Sequence, residues 1–242
     1  MKTKLFKTVT AITFILLGLL FSNSYAGSLL EDKKETREVG DFNEIGLSIP
    51  ANLYLTQGSK NEVVIEADED LLEKIETEVN GTSLNIKFEK WYNYKGVGKI
   101  NVYITVKEIK KLVVSGSGDI IAKSAINADK LAFIVSGSGS ILIDDLTTQK
   151  VYAMITGSGD VRIEGSSKPN ELDVTVTGSG DFESAKLEFK VADLNITGSG
   201  SIHTFVTEEL EASITGSGKI YYKGSPLIDA NITGSGRIKN DY

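Results

Sequence analysis

The sequence predicts an all-β chain, a β-helix or solenoid of about 20-residue rungs with Gly-Ser-Gly turns and a β-rich N-terminal cap. Three observations predict it. A Ser/Thr-Gly-Ser-Gly tetrapeptide returns seven times at near-constant spacing, apolar residues alternate on both sides of it, and the 242-residue chain has no cysteine to staple a smaller core.

Residues 1–26 read as a cleaved secretory leader. Lys2, Lys4 and Lys7 precede an apolar run from Ala11 to Phe21, and Ser24 and Ala26 are small residues placed for a cut after Ala26. The run is 11 residues long, against the roughly 20 that span a bilayer. Export without a transmembrane segment is therefore expected, to the periplasm or the cell surface. With no cysteine to acylate, the lipoprotein route is closed. Removing three leader lysines takes the net charge from −7 to −10. Such an acidic surface argues against nucleic acid or anionic lipid as partner. Residues 27–37 are polar and read as a loose tail.

Residues 38–111 lack the tetrapeptide but continue to alternate, which predicts a β-rich cap continuous with the solenoid. Strands are expected in Phe42–Ile49, Ala51–Thr56, Glu62–Glu66 and Ile100–Val106. Asp68 to Lys74 reads as one or two helical turns with an acidic start. Ile75, Thr77 and Val79, then Asn80-Gly81, then Leu84, Ile86 and Phe88 predict a hairpin on a type I′ turn.

Residues 112–242 hold the repeats. The first glycines are Gly116, Gly137, Gly157, Gly178, Gly198, Gly216 and Gly234, spaced 21, 20, 21, 20, 18 and 18 apart. The second glycines are Gly118, Gly139, Gly159, Gly180, Gly200, Gly218 and Gly236. Before each turn every second residue is apolar, as in Leu131, Phe133 and Val135, and after it one apolar residue returns, as in Ile141. Each repeat thus reads as strand, corner, strand, loop. A unit with two short strands cannot bury its apolar side alone, so neighbours must stack. The glycines are placed for sharp corners with positive φ, and the Ser/Thr positions for hydrogen bonds from rung to rung. A meander of hairpins would turn more often and with varied chemistry.

Asp41-Phe-Asn-Glu-Ile45, Tyr54-Leu-Thr-Gln-Gly58 and Val64-Ile-Glu-Ala-Asp68, followed by the Gly-Ser-Gly turns, resemble the bacterial "putative auto-transporter adhesin, head GIN domain" family. The resemblance spans residues 38–240 and implies a β-helix; no catalytic residues carry over with it. An autotransporter needs a C-terminal membrane barrel, and only a few residues follow the last corner, so self-secretion is not expected.

Four places in the sequence could carry chemistry. Asp119, Asp160 and Asp181 follow three of the corners, where the others carry Ser140, Ser201, Lys219 and Arg237. That mixture reads as a solvated rim, not as a catalytic carboxylate pair or a calcium ladder. His203 is the sole histidine and has no partners for a metal site or triad. Asn195-Ile-Thr197 and Asn231-Ile-Thr233 match a glycosylation pattern but fall inside strands. Aromatic residues offer the best candidate binding surface: Trp91, Tyr92 and Tyr94 in a loop, and Tyr221 in the sixth repeat. Against it stands cap packing by Trp91 and tube filling by Tyr222. No catalytic, metal or cofactor site is expected. The reading is an exported, adhesin-like binding module for a glycan or an envelope protein. A structural component assembling into homo-oligomers is the alternative, and a polysaccharide-active enzyme a more distant one.

Overall fold

Alternation gives the strands of the repeats one apolar side, and the glycine corners hold those sides in register. The computed structural model describes residues 32–96 and 98–241. The expected leader lies outside them.

The N-terminal region forms β1 (Lys33–Arg37), β2 (Glu44–Leu47), β3 (Asn52–Gln57), β4 (Glu62–Ala67), α1 (Glu69–Leu72), β5 (Ile75–Asn80), β6 (Ser83–Phe88) and β7 (Asn101–Val106). The early repeats form β8 (Lys111–Gly116), β9 (Asp119–Ala122), β10 (Ile126–Asn127), β11 (Lys130–Gly137), β12 (Ile141–Ile143), β13 (Leu146–Thr147), β14 (Lys150–Gly157) and β15 (Val161–Ile163). The later ones form β16 (Glu171–Gly178), β17 (Asp181–Gly198), β18 (Ser201–Gly216), β19 (Lys219–Lys223), β20 (Leu227–Gly234) and β21 (Arg237–Asn240).

Two faces result. On face A the strands entering each corner stack in parallel with all seven first glycines aligned, from Gly116 through Gly137 to Gly234. On face B the strands leaving each corner stack likewise, from Ile120 through Ile141 and Val161 to Phe182, then Ile202, Ile220 and Ile238. The β10–β13 pair makes a short third side in the longer rungs. Where rungs shorten to 18 residues, register shifts in β17, between Glu183 and Glu188 and between Phe189 and Val191, absorb the surplus. The β-solenoid expected from the repeats is what forms.

The corner glycines serve two different needs. First glycines have φ between 115° and 130°, a region L side chains avoid. Second glycines do not have positive φ; a Cβ on Gly139 or Gly159 would overlap the carbonyl oxygen of the glycine one rung back. The rung-to-rung bonds run through backbone: Ser138 N–H donates to Gly116 O at 2.8 Å, and Ser158, Ser179, Ser199, Ser217 and Ser235 repeat it at the same distance. The expected Ser/Thr hydroxyl ladder is not the device used.

The N-terminal region adds two rungs to the seven, making nine. The rung β2–β3 lies directly on β8–β9, and its Ser48-Ile-Pro-Ala51 segment replaces the glycine corner. The rung β6–β7 lies outside it, although it comes later in the chain. Beyond that the pairing turns antiparallel: β5 on β6, β4 on β7 and β1 on β4. Segment 27–37 is thus not a loose tail throughout, because Lys33–Arg37 is an edge strand. Its side chains carry no apolar signal; backbone pairing, a Lys33–Glu69 ion pair and an Arg37 bond to Leu72 O hold it. The hairpin turn also differs from expectation. Asn80 pairs with Ser83, and of the intervening Gly81 and Thr82 only Gly81 has positive φ, 64°. That fits a type II′ turn, with Gly first.

Candidate functional site

The predicted aromatic residues divide between the two ends of the stack. Trp91, Tyr92 and Tyr94 lie in the segment joining β6 to β7, the corner of the outermost N-terminal rung. Tyr221 is in β19, the eighth rung. Seven rung spacings separate them, about 34 Å at roughly 4.8 Å each. They are two places, not one site.

At the first place the local sequence explains the geometry. Tyr92 N–H donates to Glu89 O at 3.1 Å, closing a tight turn that sets Trp91 at φ 76°. Among the described residues it is the one non-glycine with positive φ, in the position where such a turn favours glycine. The strain costs about 1–2 kcal/mol. Tyr92 and Tyr94 supply the anchor. Both rings pack on Phe88, with centroids 5.1 and 5.2 Å away, and Tyr94 Oη donates to Gly98 O at 2.8 Å. Burial pushes the Tyr94 hydroxyl pKa up. Trp91 is left 90% exposed, so it does not close the solenoid end as core. The Lys90 ammonium stands 5.3 Å from its ring, and Lys95 and Lys99 are exposed nearby. An exposed indole beside lysines can stack on a sugar face or anchor in a protein pocket.

At the second place Tyr221 stacks on His203 one rung back, with ring centroids 4.5 Å apart. Both are half-buried on the outward side of face B. Lys219, Lys223, Arg237 and Lys239 surround the pair and are exposed.

The carboxylates have structural work. Asp119 accepts the Ser140 amide at 2.8 Å, Asp160 the Asp181 amide at 2.9 Å and Asp181 the Ser201 amide at 2.8 Å. Each acid thus holds the first amide of the next rung, a firmer role than a solvated rim. A groove of about 260 Å³ runs past Asp160, Asp181, Arg162 and Glu183. Arg162 there bonds Glu164 at 2.8 Å and lies 3.7 Å from Glu183.

Sequence reasoning missed two outward clusters. Tyr54 and Tyr103 stack with centroids 5.3 Å apart on face B, and Tyr103 Oη donates to Glu66 at 2.6 Å. That bond pushes the Tyr103 hydroxyl up to about 12 and holds Glu66 below the usual carboxylate range. On face A, Val113, Ile134 and Met154 form one outward column with Ala132 and Tyr152 beside it. Alternation alone assigns these positions to water. Their apolar identity was the available signal, but it becomes visible as a patch only once strand order is known.

The chain belongs to the family described as "putative auto-transporter adhesin, head GIN domain", whose profile matches residues 41–226. Two solved structures share the fold closely. A putative adhesin from Bacteroides fragilis is 27% identical, with a TM-score of 0.79 over 87% of this chain and 97% of that one. A putative lipid binding protein from Parabacteroides distasonis is 26% identical, with a TM-score of 0.73 over 88% and 97%. A putative adhesin from Parabacteroides merdae, 23% identical with a TM-score of 0.70 over 88% and 97%, shows the fold alone. A search of curated proteins finds no match. The chain is an adhesin-like module.

Proposed function

We propose that this member of the head GIN domain family is an exported, non-catalytic binding module that engages a glycan or an envelope protein through its Trp91 loop. The exposed Trp91, held at positive φ by a packed tyrosine pair, carries the reading. The indole is 90% exposed on a strained backbone, and strain of this kind concentrates at functional sites. The adhesin-like relatives support the class of function. The leader-like N-terminus supports export, and the lack of cysteine supports a non-lipidated form in the periplasm or at the surface.

The test uses the purified chain on arrays of bacterial and host glycans, with envelope extracts and lipid vesicles as parallel arms. Trp91→Ala should weaken capture at least about tenfold, as loss of a buried aromatic anchor does. Trp91→Gly should weaken capture to the same extent while leaving the melting temperature unchanged or slightly raised, because glycine relieves the strain. Capture that survives both substitutions would sink the assignment to this loop. Capture by vesicles alone would replace the ligand class.

A further inference from the structure

The last rung breaks the pattern of all those before it. Ile228, Ala230 and Ile232 of β20 continue the inward columns of Leu210, Ala212 and Ile214. Leu210 and Ile214 are 0% and 1% exposed, whereas Ile228 and Ile232 are 44% and 42% exposed. No described residue packs over them, and β20 and β21 each have one unpaired edge. This is a core cut open, with two strand edges free to add partners.

The charges at this end are divided by face. Face A carries exposed Glu209, Glu211 and Asp229, whereas face B carries exposed Lys219, Arg237 and Lys239. A two-fold axis through the Thr233-Gly-Ser-Gly236 corner, perpendicular to the stack, exchanges the faces. It lays β20 of each copy antiparallel to β21 of the other, acidic side to basic side. Inward residues then meet inward residues. The axis leaves no freedom to slide along the strands: Gly236 sits over Ile214, which stacks on Ile232, so Ile238 comes opposite the partner's Ala230, Lys239 faces the partner's Asp229 and Arg237 the partner's Asn231. This pairing closes both edges, covers the exposed isoleucines and places no like charges across β20 and β21.

We propose that the open C-terminal rung is a homotypic docking surface, through which two copies of the chain join end to end across this two-fold axis. The inference is independent of the Trp91 loop, which sits at the other end of the stack. One rung is smaller than the roughly 20–30 residues a side of a standard interface, so an equilibrium near the micromolar range is expected.

Sedimentation equilibrium and light scattering on the purified full chain test it. The expected result is a monomer–dimer equilibrium with no higher species. Asp229→Lys alone, and Arg237→Asp with Lys239→Asp as a second variant, should each weaken it by about tenfold or more, since every contact occurs twice. Mixing the two variants should restore dimers, because both contacts become complementary again. Circular dichroism keeps folding separate from association. A monomer at all concentrations up to about 100 µM, open-ended chains, or dimers indifferent to the charge changes would each overturn the proposal.

Discussion

The two ends of this solenoid solve the same physical problem in opposite ways. At the N-terminal end the parallel stack is terminated by antiparallel strands, by α1 with its buried Leu71 and Leu72, and by β1, whose edge bristles with lysine and glutamate. Charged, short edges of this kind discourage further pairing. At the C-terminal end the parallel pattern continues unaltered into β20 and β21, with inward isoleucines uncovered. A parallel stack of near-identical rungs has no intrinsic stopping point. Termination has to be written into the sequence as different chemistry, and among the described residues it is written at the N-terminal end.

Five substitutions break or sharpen that contrast. The largest effect is expected at a mid-stack corner. Gly159→Ala would drive a Cβ into the Gly139 carbonyl and to 2.6 Å from Val135. A loss above about 3 kcal/mol is expected, with a fall in melting temperature of roughly 10 °C. Gly236→Ala in the open rung meets the Gly218 oxygen only at 3.0 Å and an Ile214 methyl at 2.5 Å. With no rung beyond, it can shift, and about 1 kcal/mol is expected. Equal losses at both corners would mean the last rung is held as rigidly as the middle.

Truncation of the core comes next. Leu47→Ala in the cap, 0% exposed, should cost about 2–5 kcal/mol in denaturant unfolding. Ile232→Ala, 42% exposed, should cost less than about 1 kcal/mol at concentrations where the chain is monomeric. The smaller loss should grow with protein concentration if the open rung is covered by a second copy.

The smallest effect concerns the acidic column of Asp173, Asp193, Glu211 and Asp229 on face A. Burial, and then the neighbouring Asp193, pushes the Asp173 carboxyl up. The folded chain therefore binds that proton more tightly than the unfolded chain. Its contribution is favourable at low pH and is lost as pH rises through the carboxylate range towards the raised folded value. Asp173→Asn should raise the melting temperature at pH 7 by about 1–2 °C, and the gain should vanish in acid, where Asp173 is already neutral.

How much of this was legible depends on the residue. The corners were, because steric demand on glycine is local and repeats in sequence. Both glycines of a corner look alike in the sequence, however, and their separate reasons, φ for Gly137 and close approach for Gly139, appear only in three dimensions. The hairpin at Gly81 and the turn of helix after Asp68 were also legible from short-range chemistry. The order of the cap rungs was not: alternation in Ser83–Phe88 and Glu44–Leu47 is the same, and nothing in either segment says which lies outside. Lys33–Arg37 forms a strand through backbone bonds, which its side chains do not announce. As for the candidate site, the Trp91 to Tyr94 loop was singled out by composition. That Trp91 stands out while Tyr92 and Tyr94 fold in depends on Phe88 beneath them, a contact across the loop.

The corner column has one more property. Every corner amide donates back to the preceding rung, from Ser138 to Gly116 through to Ser235 to Gly216. All those carbonyls therefore point towards the C-terminal end, and the column is a stack of aligned peptide dipoles, like a helix with one residue per rung. Its negative pole lies at the last corner. The residues after the glycines follow that polarity: Asp119, Asp160 and Asp181 come first, and Lys219 and Arg237 occupy the last two rungs. The mixed charges that look unrelated along the sequence are arranged as acid and base are along a well-designed helix.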